Sequence, residues 1–207
     1  DLLFTAWDAA AQMKAASCGF RAAKSGVPVT NPSFCLGIDY NYDNLFFAND
    51  LFKYIDLFNI HSYTPLADYE SFQRRTHAFL EKHGVGGMPI LVTECGTDEE
   101  GMASVKTDHP TRLGHTPEQE MAVADFIPKS QILRQFGGVW RNHFFVFGSF
   151  HERNGKKDWG ILRRDGGVKP GYSAFATLTA ELDGLRMLGE IEAAPGVRAF
   201  LYDGNDD

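Results

Sequence analysis

Polar residues end three apolar stretches of this sequence. Their side chains are of the types that act in catalytic and binding sites. The first stretch ends in Asn59, His61 and Tyr63, the second ends in Thr93 and Glu94, and the third is followed by His151 and Glu152. Residues two apart on a strand lie on the same side of it. We therefore expect Asn59, His61 and Tyr63 to point together.

Glu94 is the leading candidate for a catalytic residue. Alternation predicts that it continues a buried row formed by Ile90 and Val92. A partly desolvated carboxylate costs free energy unless polar neighbours hold it, so this position favours a functional role. A metal-dependent hydrolase that uses His61, Glu94 and His151 is an alternative.

The neighbouring polar residues also have purely structural interpretations. His61 could be a core histidine bonded to a carbonyl. His151 and Glu152 could lie on a solvated loop, although a substrate hydroxyl could reach them there. The sequence contains 17 Phe, 7 Tyr and 3 Trp. Aromatic faces often bind sugars, but any one of these rings is more often part of a core.

The elements that must position these residues alternate between helix and strand. Helices are expected at residues 1–25, 45–54, 66–83, 116–136 and 170–182, and strands at residues 27–35, 55–63, 88–94 and 143–150. Thr116-Pro117, for example, is an N-cap followed by proline at the first helical position. Such alternation predicts parallel α/β architecture.

The pattern fits a barrel better than an open nucleotide-binding sheet. Neither GxGxxG nor GxxxxGKS/T occurs, and one of these phosphate loops would be expected in such a sheet. A barrel concentrates polar residues at the carboxyl ends of its strands, because its active site lies on that face. After residue 189 the pattern changes to that of an antiparallel strand pair, which predicts a β-rich domain from about residue 185.

Composition excludes some partners. The formal net charge of −7 disfavours a nucleic acid or an anionic membrane, because both require a basic face. No apolar run approaches the roughly 20 residues of a membrane span. Cys18, Cys35 and Cys95 have no metal-type spacing, and they leave the redox compartment open. The chain begins at Asp1 without a signal-peptide pattern, which suggests a fragment or a processed product.

Three segments carry a family resemblance, and they occur in the order that the family requires. Residues 89–96 (PILVTECG) resemble strand seven of the large clan of retaining glycosidases with (β/α)8 barrels, and residues 59–63 (NIHSY) resemble its strand six. The segments WGIL at 159–162 and GGVKPGYSAF at 166–175 are similar to the region after its strand eight.

The resemblance implies a retaining glycoside hydrolase that cleaves O-glycosidic bonds by double displacement. Glu94 would be its nucleophile, the Tyr63 hydroxyl would orient that carboxylate, and the substrate would be an oligosaccharide or other glycoside. The mechanism requires no metal or organic cofactor. The remaining candidates for substrate binding are His61, Phe147, Phe150, His151, Glu152 and Trp159.

The resemblance also implies that half of the catalytic site lies elsewhere. Residues 1–184 would form the C-terminal half of a (β/α)8 TIM-type barrel, with strands five to eight, and residues 185–207 would begin a β-sandwich-like accessory domain. In this clan the acid/base glutamate follows an asparagine at the end of strand four, but no Asn-Glu pair occurs in this sequence. The missing N-terminal half is expected in the same precursor or in a companion chain.

A non-catalytic relative is the alternative of another class. A barrel that has lost its second carboxylate could serve as a carbohydrate-binding or scaffold protein. The residues that precede strand five decide between the two hypotheses, because an apolar strand ending in Asn-Glu would supply the acid/base residue.

Overall fold

The computed structural model of this chain describes residues 5–24, 26–35, 41–97, 114–152 and 157–204. It divides into two compact units, and the fold is mixed α/β. Unit 1 comprises Asp1–Ser62, Glu70–Glu94 and Gly138–His143, and unit 2 comprises Tyr63–Tyr69, Cys95–Gly137 and Phe144–Asp207.

Unit 1 is built around a three-stranded sheet in which strands that follow one another in sequence are neighbours. Its strands are β1 (Phe58–Ser62), β2 (Ile90–Cys95) and β3 (Val139–Phe144). Its helices are α1 (Ala6–Ala22), α2 (Asn41–Phe47) and α3 (Tyr69–Lys82). Helix α3 connects β1 to β2, and a helical crossover is the connection that parallel neighbours need.

An aromatic core holds the helices of unit 1 against the sheet. The Phe47 ring lies 5.1 Å from that of Phe46, 5.7 Å from Phe58 and 5.6 Å from Phe79, measured between centroids. All four residues are buried, and burying a side chain of this size contributes about 1.5–3 kcal/mol. Because Phe58 of β1 points into this core, the next residue, Asn59, points to the other side of the sheet.

The described part of unit 2 combines two α-helices with two antiparallel hairpins. The helices are α4 (Pro117–Phe136) and α5 (Pro170–Leu182). The hairpins pair β4 (Phe150–Glu152) with β5 (Lys157–Trp159) and β6 (Arg186–Ala194) with β7 (Val197–Asp203). A Cβ on Gly171 would lie only 3.1 Å from the Ile127 side chain, so glycine allows α5 to pack closely on α4.

Several predicted elements are confirmed. Thr116 is the N-cap of α4, since its hydroxyl accepts a hydrogen bond from the Gln119 N–H at 3.3 Å and its own N–H donates to Gln119 Oε1 at 2.9 Å. Helix α5 covers residues 170–182 as predicted. The alternating segment after residue 189 is the β6–β7 hairpin. The domain boundary near residue 185 stays a prediction.

The strand predicted at residues 27–35 is wrong in its extent. Only two isolated parallel bridges form there, from Thr30 to Leu57 and from Phe34 to Ile60. Pro28 lies at the start of this segment and Pro32 lies between the bridges. Proline lacks the N–H that a ladder requires, and therefore the pairing is discontinuous.

The strand predicted at residues 143–150 is displaced. Gly138, with φ of +83°, follows the end of α4, and β3 begins at the next residue. The phenylalanine-rich run was interpreted as a buried strand, but the chain leaves β3 after Phe144 and Phe147 is 61% exposed. The segment after Phe150, which was predicted to be irregular, contains the β4–β5 hairpin.

The helix predicted at residues 45–54 is interrupted. Helix α2 ends at Phe47, and a short 3-10 helix follows at Leu51–Tyr54. Asp50, between them, has φ of +57°, a left-handed conformation that a continuous α-helix does not allow. Among the described residues, no helix is both long enough and apolar enough to cross a membrane.

Candidate active site

The predicted nucleophile lies next to the end of β2, in contact with the predicted histidine of β1. Glu94 Oε2 is 3.1 Å from His61 Nδ1, and the side chains are 33% and 15% exposed, respectively. The Glu94 carboxylate is therefore in contact with an imidazole and partly open to solvent. The two side chains lie together within unit 1.

The His61 ring nitrogen has a second neighbour that the sequence did not reveal. Cys35 Sγ lies 3.4 Å from the same His61 Nδ1. The contacts of this nitrogen are thus a carboxylate and a thiol, rather than the carbonyl expected for a core histidine. Cys35 is exposed, whereas Cys95 of β2 is buried.

A polar network supports the same end of the sheet. Asn59 Nδ2 donates to Ser33 Oγ at 2.7 Å, Thr93 Oγ1 donates to Asn59 Oδ1 at 2.8 Å, and Ser33 Oγ lies 2.8 Å from Thr93 Oγ1. Asn31 exchanges two hydrogen bonds with the Asn59 backbone, each of 2.8 Å. Each group is satisfied, as burial requires, so the network fixes β1 and β2 in register beside Glu94.

Simple alternation does not describe the end of β2. Thr93 reaches Asn59, while the next residue, Glu94, reaches His61. Consecutive residues of β2 thus contact residues two apart on β1. Alternation predicted that Glu94 would share one side with Ile90 and Val92, but it gave no role to Thr93.

The predicted residues of unit 2 include an aromatic cluster. Trp159 has its ring centroid 5.3 Å from that of Tyr63 and 5.7 Å from that of Phe145, and Phe145 is 5.8 Å from Phe150. Trp159 is only 7% exposed, whereas Phe150 is 43% exposed. Of the three aromatic residues predicted to stack on sugar, Phe147 and Phe150 therefore present exposed rings, and Trp159 packs beneath neighbouring rings.

His151 lies in a hydrogen-bonded strand rather than on a solvated loop. It pairs with Asp158 across the β4–β5 hairpin, and Glu152 pairs with Lys157. His151 Nε2 is 3.1 Å from Ser149 Oγ, and His151 Nδ1 is 3.6 Å from Asp158 Oδ1. Glu152 forms only a loose surface ion pair with Lys157, at 3.9 Å.

A buried ion pair adjoins this histidine, and neither member was predicted to belong to a site. Lys169 Nζ donates to Asp158 Oδ2 at 3.0 Å and to Gly160 O at 2.9 Å. Lysine and aspartate are almost never fully buried unless paired. The available sequence signal was Lys169 itself, which lies inside the GGVKPGY segment of the family resemblance.

The β4–β5 hairpin approaches the preceding loop too closely for most residue types. A Cβ on Gly160 would lie 2.0 Å from Gly148 O, and Gly160 has φ of +100°. Only glycine avoids both the clash and the backbone strain. Across the described parts of the chain, no three His, Cys, Asp or Glu side chains are arranged to hold a metal ion.

Comparison with known proteins shows a likeness of fold. No family model and no curated protein matches this chain. Among solved structures, it is similar to a glucosidase from Croceicoccus marinus, with a TM-score of 0.63 and 15% identity over 94% of this chain and 38% of that one. It is also similar to a glycoside hydrolase family 39 β-xylosidase from Caulobacter crescentus, with a TM-score of 0.58 and 14% identity over 94% of this chain and 39% of that one.

The similarity covers only part of each of those two proteins. This chain spans about two fifths of the length of either one. At such low identity the likeness concerns the fold and transfers no activity. The chain thus has the mixed α/β fold of part of two glycosidases.

Proposed function

We propose that this chain is part of a retaining glycoside hydrolase in which Glu94 is the nucleophile. The observation that carries the proposal is the 3.1 Å contact between Glu94 Oε2 and His61 Nδ1 beside the end of β2. It occurs in a chain whose fold is that of part of two glycosidases. The fold alone supports many chemistries, so the proposal depends on these two side chains.

The mechanism follows from an ionised Glu94. Its carboxylate attacks the anomeric carbon, a bond forms from that carbon to the Glu94 oxygen, and the bond to the leaving oxygen breaks. An acid/base carboxyl outside this chain gives its proton to the leaving oxygen. It then takes a proton from the water that releases the sugar and restores Glu94. His61 Nδ1, 3.1 Å from Glu94 Oε2, positions the attacking carboxylate.

The proposed substrate is a neutral glycoside. The net charge of −7 does not favour an anionic polymer. The exposed rings of Phe147 and Phe150 offer apolar surfaces on which a sugar could stack. We assign Tyr63 to the orientation of Glu94, as the family resemblance implies, and His151 and Glu152 to substrate binding.

We further propose that the barrel is completed by an N-terminal half with strands one to four, in the same precursor or in a companion chain. Trp7, Phe20 and Trp140 of unit 1 are each about half exposed. The proposed N-terminal half would cover these residues. The β6–β7 hairpin carries exposed Leu188 and Ile191, as expected if it begins a further β-rich domain.

The test is hydrolysis of para-nitrophenyl β-D-xylopyranoside and β-D-glucopyranoside by the full-length protein. Glu94→Gln preserves the shape but removes the nucleophile, and it should lower turnover on the order of a thousandfold or more while the substrate still binds. Glu81→Gln, which changes an exposed glutamate of α3, is the matched control and should retain full activity.

Three outcomes separate the hypotheses. Full activity of Glu94→Gln would show that the nucleophile lies elsewhere. Glycoside binding without turnover by the unmodified full-length protein would favour the non-catalytic carbohydrate-binding relative. Loss of activity on metal removal would favour the metal-dependent alternative.

A further inference from the structure

The buried ion pair of unit 2 has a fixed hydrogen-bonding direction. Lys169 Nζ can only donate, and an ionised carboxylate can only accept. Asp158 Oδ2 accepts from Lys169 Nζ at 3.0 Å and from the His115 N–H at 3.2 Å. Because the cation and the backbone donor both contact Oδ2, they fix the direction in which the second oxygen of Asp158 points.

That second oxygen faces His151. Asp158 Oδ1 and His151 Nδ1 are 3.6 Å apart, slightly longer than a hydrogen bond. In the described part of the chain both atoms are buried and neither has a hydrogen-bond partner. A buried polar atom without a partner is unfavourable, and a proton on Nδ1 directed at Asp158 Oδ1 would lessen that cost for both atoms, so the arrangement favours a proton on Nδ1.

A proton on His151 Nδ1 determines in which direction Ser149 can form hydrogen bonds. In a neutral imidazole only one ring nitrogen carries hydrogen, so Nε2 becomes an acceptor. Ser149 Oγ lies 3.1 Å from Nε2, and its hydroxyl must then donate to the ring. The remaining lone pairs of Ser149 can only accept, and the Ser149 side chain is exposed.

We propose that Ser149 accepts a hydrogen bond from a substrate hydroxyl. Ser149 is then the outer member of a hydrogen-bond network in which each group donates to the next, from the substrate through Ser149 and His151 to Asp158. Lys169 and Asp158 are positioning residues in this network. The inference rests on the proposed function, because it takes the ligand to be a glycoside. It adds a requirement that the hydroxyl be free, since an O-methylated or fluorinated position has no proton to donate.

The surroundings suit a sugar. Ser149 lies in sequence between the exposed rings of Phe147 and Phe150. An acceptor beside apolar rings matches a sugar ring, which has apolar faces and hydroxyl edges. A purely apolar ligand would leave the Ser149 lone pairs unpaired.

The first test is independent of any ligand. Nitrogen-15 NMR of histidine-labelled full-length protein distinguishes a protonated from an unprotonated ring nitrogen, and the spectrum of His151→Gln identifies the His151 signals. At about pH 8, where an ordinary imidazole is neutral, we expect the proton on Nδ1. A proton on Nε2, or on both nitrogens, would overturn the proposal.

The second test couples Ser149 to the substrate. In a Glu94→Gln background that prevents turnover, we expect Ser149→Ala to weaken binding of para-nitrophenyl β-D-xylopyranoside about threefold to tenfold. One of the three monodeoxyfluoro analogues should bind equally well with and without the Ser149→Ala substitution, because it lacks the hydroxyl concerned. Ser173→Ala, which changes an exposed serine of α5, is the matched control and should change neither affinity.

The outcomes are distinguishable from failure of the proposed function. Equal weakening of all analogues by Ser149→Ala, or no weakening of the parent glycoside, contradicts the hydroxyl assignment while leaving Glu94 untouched. If the full-length protein neither binds nor hydrolyses glycosides, the proposed function fails. The NMR result alone then decides whether Ser149 donates to His151 and His151 donates to Asp158.

Discussion

The charge on Glu94 is the residue-scale feature on which the proposed chemistry depends. A carboxylate must be ionised to attack, and hydrogen-bond donors favour the ionised form. His61 Nδ1 contacts Glu94 Oε2 at 3.1 Å. The family resemblance gives Tyr63 the role of a hydrogen-bond donor to Glu94, through its hydroxyl.

Tyr63→Phe tests that role. The substitution keeps the ring and deletes one hydrogen bond to a charged group, a loss of about 1.5–3 kcal/mol if it is fully expressed in the transition state. We therefore expect kcat to fall about tenfold to a hundredfold in the full-length enzyme. Tyr42→Phe, which changes an exposed tyrosine of α2, should leave kcat unchanged. Unaltered kcat in Tyr63→Phe would remove the tyrosine from the site.

Tyr69 gives a second residue-scale prediction, this one about stability. Burial raises the pKa of Tyr69 to about 12, although Arg134 lies over its ring at 3.9 Å and partly opposes the shift. In the unfolded chain the phenol loses its proton near pH 10. Stability from this residue is thus fully present below about pH 10 and is lost as the pH rises towards about 12.

Urea unfolding at a series of alkaline pH values measures the effect. A shift of about two units corresponds to roughly 2–3 kcal/mol. The free energy of unfolding should fall by up to this amount more in the wild type than in Tyr69→Phe between about pH 10 and about pH 12. Tyr42→Phe should follow the wild type. Equal slopes in wild type and Tyr69→Phe would show that Tyr69 is not buried as described.

Site residues that end an apolar stretch of the sequence could be predicted, whereas site residues that only the tertiary fold brings together could not. Glu94 and His61 were each singled out because they close apolar stretches, and they lie 3.1 Å apart. Asp158 and Lys169 were missed because their pairing depends on the β4–β5 hairpin and on the loop that follows it. The periodicity of the local sequence does not predict such an ion pair.

At the scale of elements, the β4–β5 hairpin depends on one glycine. Gly160→Ala would combine left-handed backbone strain with a Cβ 2.0 Å from Gly148 O. Gly166 also has positive φ, +83°, but a Cβ there would meet nothing within 4 Å. Gly166→Ala therefore isolates the backbone strain, which costs about 1 kcal/mol.

Chemical denaturation of the two variants separates the cost of the steric clash from the cost of the backbone strain. Gly160→Ala should lower the free energy of unfolding by at least about 2 kcal/mol more than Gly166→Ala, because the opposing backbone must move. It should also disturb Trp159, the last residue of β5, and so alter tryptophan fluorescence. If both variants lose the same amount, Gly160 and Gly148 do not approach as closely as described.

Helices that begin with a capping residue or a proline were predicted more accurately than strands. Thr116 and Pro117 fixed the start of α4, and α5 was predicted with its observed bounds. The strand at residues 143–150 was displaced, because a run of phenylalanines has the same pattern whether it is buried or partly exposed. Glycine at position 138, rather than the apolar run, marks where β3 begins.

At the scale of the whole molecule, the sheet of unit 1 has open edges. Among the described residues, β3 pairs only with β2, and residues 30–34 bridge only to the chain around β1. Unpaired edges and exposed large apolar residues favour association. We therefore expect residues 1–207 alone to be aggregation-prone or unstable.

Co-expression with the proposed N-terminal half, in one precursor or as a companion chain, should yield a soluble and cooperative unit. Sedimentation and thermal unfolding of the isolated chain and of the completed protein provide the comparison. A monomeric and highly stable preparation of residues 1–207 alone would count heavily against the half-barrel interpretation. It would leave the Glu94 proposal to be judged separately.

The central claim, that Glu94 forms a covalent bond to the sugar, can be measured directly. A β-glycosyl donor with a dinitrophenolate leaving group, and with fluorine in place of the hydroxyl beside the anomeric carbon, slows release of the glycosyl-enzyme of a retaining glycosidase more than its formation. After incubation with the full-length protein, peptide mass spectrometry should locate one glycosyl ester on Glu94. Labelling of a different carboxylate, or no label in a protein that hydrolyses the parent glycoside, would contradict the account.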